Sequence, residues 1–148
     1  MTKVLIFGTF DVIHPGHQWF LRQAADHGDD LIAVIARDQF VKNWKGKSPV
    51  LSENERLAAI KASGLVQDAV LGDKEIRTYG VVERVQPDII CLGHDQQALR
   101  DDLEAWLEGR DGIKKPKIEI LPPWNRHRYS SSLRNRPGGR KPELNRDS

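Results

Sequence analysis

Five short apolar runs, Lys3–Gly8, Leu31–Ala36, Gln67–Leu71, Asp88–Leu92 and Lys117–Leu121, alternate along this chain with segments of helical pattern. A strand that is apolar on both faces must be covered on both faces, and intervening helices are the usual cover. Right-handed crossovers between such strands predict a doubly wound, Rossmann-like α/β fold, with a parallel five-stranded sheet and helices on both faces. The helical segments carry their own marks. Trp19, Phe20, Gln23 and Ala24 lie near helical spacing within Gly16–His27, with Pro15 suited to the first turn. Ser52-Glu53-Asn54-Glu55 reads as a capping box opening a helix to about Ser63, which Gly64 ends. Tyr79–Val85 is a short helix, and Gln97–Glu108 sets Leu99, Leu103, Trp106 and Leu107 on one face.

Open sheets of this kind bind ligands beyond the carboxyl ends of their strands. That rule gathers Thr9–His17, Arg37–Lys47, Gly93–Gln96 and Pro122–Ser132 into one region. The first of these is the most informative. Glycines, two histidines three residues apart and a helix start follow the first strand directly, as Gly8-Thr9-Phe10-Asp11-Val12-Ile13-His14-Pro15-Gly16-His17. Unpaired N–H groups at a helix N-terminus attract phosphate. Imidazoles beside them donate hydrogen bonds that strengthen as charge grows on a phosphate oxygen. Zinc is the rival use of a close histidine pair, but it wants a third protein ligand and the nearby candidates are weak.

The other segments read less sharply. Lys42, Lys45 and Lys47 fall in a stretch broken by Gly46 and Pro49, which predicts a mobile loop closing over polyphosphate; a solvated face is the plainer alternative. Arg56 is a further candidate for the same anion, against a surface salt bridge. Gly93-His94-Asp95-Gln96 follows a buried strand, where Asp95 and Gln96 either read a ribose hydroxyl or base edge, or Asp95 caps the next helix. Ser130-Ser131-Ser132, after Arg126-His127-Arg128, suits phosphate at a nascent helix start, or is linker.

Bulk properties narrow the class. At 148 residues the chain predicts one domain. No apolar run approaches the roughly 20 residues of a membrane span, and no secretory leader pattern opens the sequence. The single cysteine, Cys91, sits in an apolar run, which fits a reducing cytoplasm. Residues 1–124 hold 16 Lys/Arg against 19 Asp/Glu, and residues 125–148 hold 7 against 2. The basic segment 135–148 reads as a flexible tail beyond a folded unit of residues 1–134.

The segment Gly8–His17 resembles the signature Gly-Thr-Phe-Asp-x-x-His-x-Gly-His of the cytidylyltransferase-like nucleotidyltransferases, with every position matched. Ser130-Ser131-Ser132-Leu133 resembles the family's second signature. Ala36-Arg37-Asp38, Val41-Lys42…Lys45-Gly46…Pro49, Glu53…Arg56 and Leu92–Gln96 are most similar to archaeal-type FAD synthases; glycerol-3-phosphate cytidylyltransferases are the runner-up. Pro137 and the Arg/Pro/Gly tail depart from the pattern. The resemblance implies transfer of AMP from ATP to FMN with Mg²⁺, or of CMP from CTP to glycerol-3-phosphate, releasing pyrophosphate. It also implies roles. Backbone groups at Thr9 and Phe10 hold the α-phosphate, within a turn completed by Gly8, Asp11 and Gly16. His14 and His17 stabilise transition-state charge, and Lys42 or Lys45 steadies the β/γ-phosphates or the leaving group. Asp95 and Gln96, after Gly93, lie near ribose or base, and Arg126 with Ser131 and Ser132 near the triphosphate. Asp11 orients the turn or an acceptor group. Homodimers are common in the family, and the apolar Trp106 helix is a candidate for such an interface. The histidine pair and lysine loop argue against a nucleic-acid-binding module.

Overall fold

The computed structural model describes residues 1–74 and 79–123, apart from the side chains of Trp44 and Lys45. Arg126, Ser130, Ser131, Ser132 and the boundary placed at residue 134 lie outside the described residues. Strands β1 (Lys3–Gly8), β2 (Asp30–Ile35), β3 (Asp68–Leu71), β4 (Ile89–Gly93) and β5 (Lys117–Leu121) form one parallel sheet in the order β3-β2-β1-β4-β5. Helices α1 (Pro15–Ala25), α2 (Asp38–Lys45), α3 (Glu53–Ala62), α4 (Gly80–Val85) and α5 (Gln97–Glu108) lie between the strands in sequence.

Period-two alternation divides the core in two. Val4 and Ile6, Leu31, Ala33 and Ile35, Ala69 and Cys91 face one side, where Leu21 and Ala24 of α1 and Ile60 of α3 cover them. Leu5, Ile32, Val34, Ile90 and Leu92 face the other, beneath Val81 and Val82 of α4 and Leu103 and Leu107 of α5. Both faces of the three central strands are therefore dry, as a parallel sheet requires. The apolar face of α5 is turned onto the sheet. Trp106 packs edge-on to Tyr79, ring centroids 5.5 Å apart, with the Arg110 guanidinium 4.6 Å above its own ring.

Local signals account for most helix ends. Ser52 Oγ accepts from Glu55 N–H while Glu55 accepts from Ser52 N–H, closing the expected capping box. Gly64, just past the end of α3, has φ +77°, a conformation glycine adopts without steric cost. The lysine segment is the main correction. Lys42 and Lys45 lie within α2, not in a loop, and only Lys47 follows it. Gly46, at φ 79°, is the left-handed end of that helix, so the glycine and Pro49 mark where the helix stops.

The strand register brings the site together. Ile6 pairs with Cys91, which sets Gly8 level with Gly93 at the carboxyl edge of the sheet. From β1 the chain winds outward through β2 and β3, then returns to lay β4 on the other side of β1. The gap between β1 and β4 is thus the topological switch point.

Cys91 sits wholly inside this core, and burial, with a smaller contribution from the Glu119 charge, pushes its thiol up to about 12 from an ordinary 9.0. The thiol stays protonated at pH 8, where alkylation needs the thiolate. Iodoacetamide at pH 8 is therefore expected to label Cys91 only after the chain is denatured. Rapid stoichiometric labelling of the native protein would contradict this placement.

Candidate active site

Two residues shape the turn from β1 into α1. A Cβ on Gly8 would sit 2.5 Å from the Phe10 ring, so glycine is required there because that ring folds back over the strand end. Phe10 itself has φ 50°, in the left-handed region that costs an L-residue about 1 kcal/mol. Its side chain is 4% exposed, and burying a phenyl ring returns about 2 kcal/mol. Burial wins, so the strained backbone is held. The same ring lies edge-on to His17, centroids 5.4 Å apart, and buttresses it.

The histidine pair then begins α1. His14 is the N-cap: its Nδ1 accepts from Gly16 N–H at 3.1 Å and from His17 N–H at 3.4 Å. His17 Nδ1 accepts in turn from His14 N–H at 3.4 Å. This is a capping box built from imidazoles in place of hydroxyl and carboxylate. The bonds at 3.4 Å are long, but their direction assigns the tautomer. A ring nitrogen that accepts carries no proton, so each ring bears its proton on Nε2. The rings stack with centroids 3.8 Å apart and planes 19° from parallel. His14 is exposed and His17 half-buried, so two parallel N–H donors stand at the start of a helix, beyond the carboxyl end of β1.

The other expected site residues divide. Asp11 ties the turn to the chain before α3, its two oxygens accepting from Val50 N–H and Leu51 N–H, each at 2.8 Å. These two bonds hold the turn in place. Gln96 bridges the switch point. Its Oε1 accepts from Gly93 N–H at 2.7 Å and its Nε2 donates to Phe7 O at 3.0 Å, so its amide joins the ends of β4 and β1. Asp95 is exposed beside it and does not cap α5, whose N-cap is Gln96 without a side-chain bond. Lys42 is exposed on α2, and its ammonium has no ion-pair partner among the described residues.

Arg56 corrects the sequence reading. It is fully buried and donates to Asp38 Oδ1, Thr9 O and Leu51 O, so its guanidinium is an internal strut and does not face an incoming anion. The alternative is right about a salt bridge, to Asp38 at 2.6 Å, but Arg56 makes it from inside the protein and not from the surface. Around it stands an arrangement the sequence did not disclose. Asp38 Oδ2 accepts from Glu53 N–H at 3.1 Å and Glu53 Oε1 from Asp38 N–H at 2.8 Å, so the first residues of α2 and α3 satisfy each other. Arg37 closes the set by donating to Glu53 and to Gly72 O. The only hint in sequence was an acidic residue at each helix start.

Among the described residues no group of three or more His, Cys, Asp and Glu side chains is placed to hold a metal ion.

Known proteins show the same pattern. A family model described as Cytidylyltransferase-like matches residues 5–135. The FAD synthase of Methanococcoides burtonii is 43% identical over 120 residues, covering 81% of each chain. That of Pyrococcus horikoshii is 38% identical over 106 residues, 72% of each. Among solved structures, the lipopolysaccharide core biosynthesis protein of Thermoplasma volcanium aligns with a TM-score of 0.75 at 36% identity, over 84% of this chain and 99% of that one. The pantoate-beta-alanine ligase of Francisella tularensis shares the fold alone, with a TM-score of 0.58 at 13% identity over 82% of this chain and 59% of that one. A complete signature at the switch point, a family match over most of the sequence and relatives of this similarity have one reading: the chain belongs to the cytidylyltransferase-like family and is a nucleotidyltransferase.

Proposed function

We propose that this enzyme transfers AMP from ATP to the phosphate of FMN, giving FAD and pyrophosphate. The reaction type is carried by one observation. Two histidines cap the start of α1 through their Nδ1 atoms, beyond the carboxyl end of β1, which leaves the ring proton of each on Nε2. The choice of acceptor is supported by the relatives named FAD synthase, which match the chain over about three-quarters or more of its length.

In this reading an oxygen of the FMN phosphate attacks the α-phosphorus of ATP. The bond from that phosphorus to the oxygen bridging to the β-phosphate breaks, and pyrophosphate departs with that oxygen. A phosphate monoester is already largely ionised at neutral pH, so no general base is needed. Catalysis is then positioning and charge stabilisation. Backbone N–H groups near Thr9 and Phe10 hold the α-phosphate, and His14 and His17 donate to the oxygens on which charge builds. Lys42 or Lys45, both carried by α2, steadies the departing pyrophosphate, and Mg²⁺ entering with the nucleotide would help to neutralise the phosphate charge. Asp95 meets the ribose or base, while Gln96 fixes the turn that carries it. Arg126, Ser130, Ser131 and Ser132 complete the triphosphate contacts. No helix among the described residues is long and apolar enough to cross a membrane, and a cytoplasmic location accords with these substrates.

The substrate assignment is tested by offering ATP or CTP with each of FMN, glycerol-3-phosphate and phosphopantetheine. FAD and pyrophosphate are expected from ATP with FMN alone. A CDP-linked product from glycerol-3-phosphate, with no FAD, would contradict the proposal.

The role of the histidines is separable from their capping. Asparagine is a good N-cap but has no group in place of the Nε2–H. His14→Asn should therefore leave the melting temperature nearly unchanged while turnover falls by about 10²-fold, the scale of losing one transition-state donor. Steady-state kinetics beside a thermal melt checks both halves; normal turnover in the folded variant would remove His14 from the mechanism.

A further inference from the structure

Arg56 is the one charged side chain that is completely buried among the described residues. A guanidinium so placed is tolerated only where good acceptors surround it. Asp38 Oδ1 lies 2.6 Å from Nη2, Leu51 O lies 3.1 Å from Nε, and Thr9 O lies 2.9 Å from Nη1. The Thr9 contact spans 47 residues of sequence and ends in the phosphate turn itself. This goes well beyond neutralising Asp38, which is 42% exposed and would be solvated without help.

The consequence follows from peptide geometry. The Thr9 carbonyl and the Phe10 N–H belong to one peptide, and no peptide bond among the described residues is cis. In a trans peptide the two groups point in opposite directions. Fixing the carbonyl against Arg56 therefore turns the Phe10 N–H away from α3. That N–H has no hydrogen-bond partner among the described residues, and Phe10 keeps its left-handed φ of 50°. A free backbone donor with a fixed direction is what a developing oxyanion needs, since nothing must reorganise when the charge appears.

We infer that Arg56, anchored by Asp38, is a positioning residue that aims the Phe10 N–H at the α-phosphate through the Thr9 carbonyl. The inference rests on the reading of this turn as the α-phosphate site, and it is independent of which acceptor the enzyme uses. Lysine at position 56 keeps the charge but cannot hold three acceptors in one plane.

The test measures Arg56→Lys, Asp38→Ala and Ile60→Val beside the wild type, with whichever nucleotide and acceptor the wild type turns over. Ile60→Val loosens the same helix through the core and leaves Arg56, the donor to Thr9 O, unchanged. Arg56→Lys is expected to lower kcat by about ten-fold or more, with KM for the nucleotide changed by less than about three-fold, because a misaimed donor loses most where the phosphate charge is greatest, in the transition state. Asp38→Ala should shift kcat in the same direction by a smaller factor. Ile60→Val should keep the wild-type kcat once corrected for folded fraction. Wild-type kcat in folded Arg56→Lys would overturn the inference, and so would wild-type kcat in Asp38→Ala if Arg56→Lys does not fold. Equal losses in all three variants, tracking stability, would overturn it too. A wild type that makes no FAD speaks against the FMN assignment alone.

Discussion

The first turn of α1 has N–H groups that no helical carbonyl can reach, and this site depends on how they are satisfied. Most helices use a serine, threonine or aspartate for the purpose. Here the acceptors are the Nδ1 atoms of His14 and His17. A hydroxyl or carboxylate would satisfy the helix equally well, at about 1 kcal/mol per cap. What an imidazole adds is a second nitrogen on the far side of the ring. Because Nδ1 accepts, the proton is on Nε2, and the capping requirement thereby fixes both the tautomer and the direction of two donors. Ring stacking at 3.8 Å and the edge of Phe10 against His17 hold the geometry from the sides.

Everything around the pair serves to place that turn. Parallel strands in the order β3-β2-β1-β4-β5 put the start of α1 beside the gap where the winding reverses, and Gln96 spans the gap from Gly93 to Phe7. Asp11 ties the turn to the chain before α3, and Arg56 grips it from beneath through Thr9. Long-range hydrogen bonds from three different segments thus converge on about ten residues. A chain whose backbone is held from several sides can keep one residue at positive φ and a glycine beneath an aromatic ring, both of which would otherwise relax.

Much of this was legible in the sequence because the signals were local. Strand runs, the Ser52–Glu55 box, Gly64 as a stop and the apolar face of α5 all depend on residues within one or two turns of each other, and the structure has each of them. The histidines and glycines of the turn were legible for the same reason. What sequence concealed was non-local. Arg56 looked like a candidate for an anion because nothing nearby reveals that its partners sit at Thr9 and Asp38. The lysine segment looked like a loop because Gly46 and Pro49 dominate it; the helix before them is capped from Glu53, 15 residues on from Asp38, and no local pattern announces that.

The proton position on the two imidazoles is the requirement on which this site depends. Long-range ¹H–¹⁵N correlation spectra of the ligand-free protein read the tautomer of each histidine directly from the ring-nitrogen shifts. Both His14 and His17 are predicted to be Nε2–H tautomers, each with an unprotonated Nδ1. An Nδ1–H tautomer at either position would contradict the account, because that ring could then neither accept the helix N–H nor present its donor to phosphate.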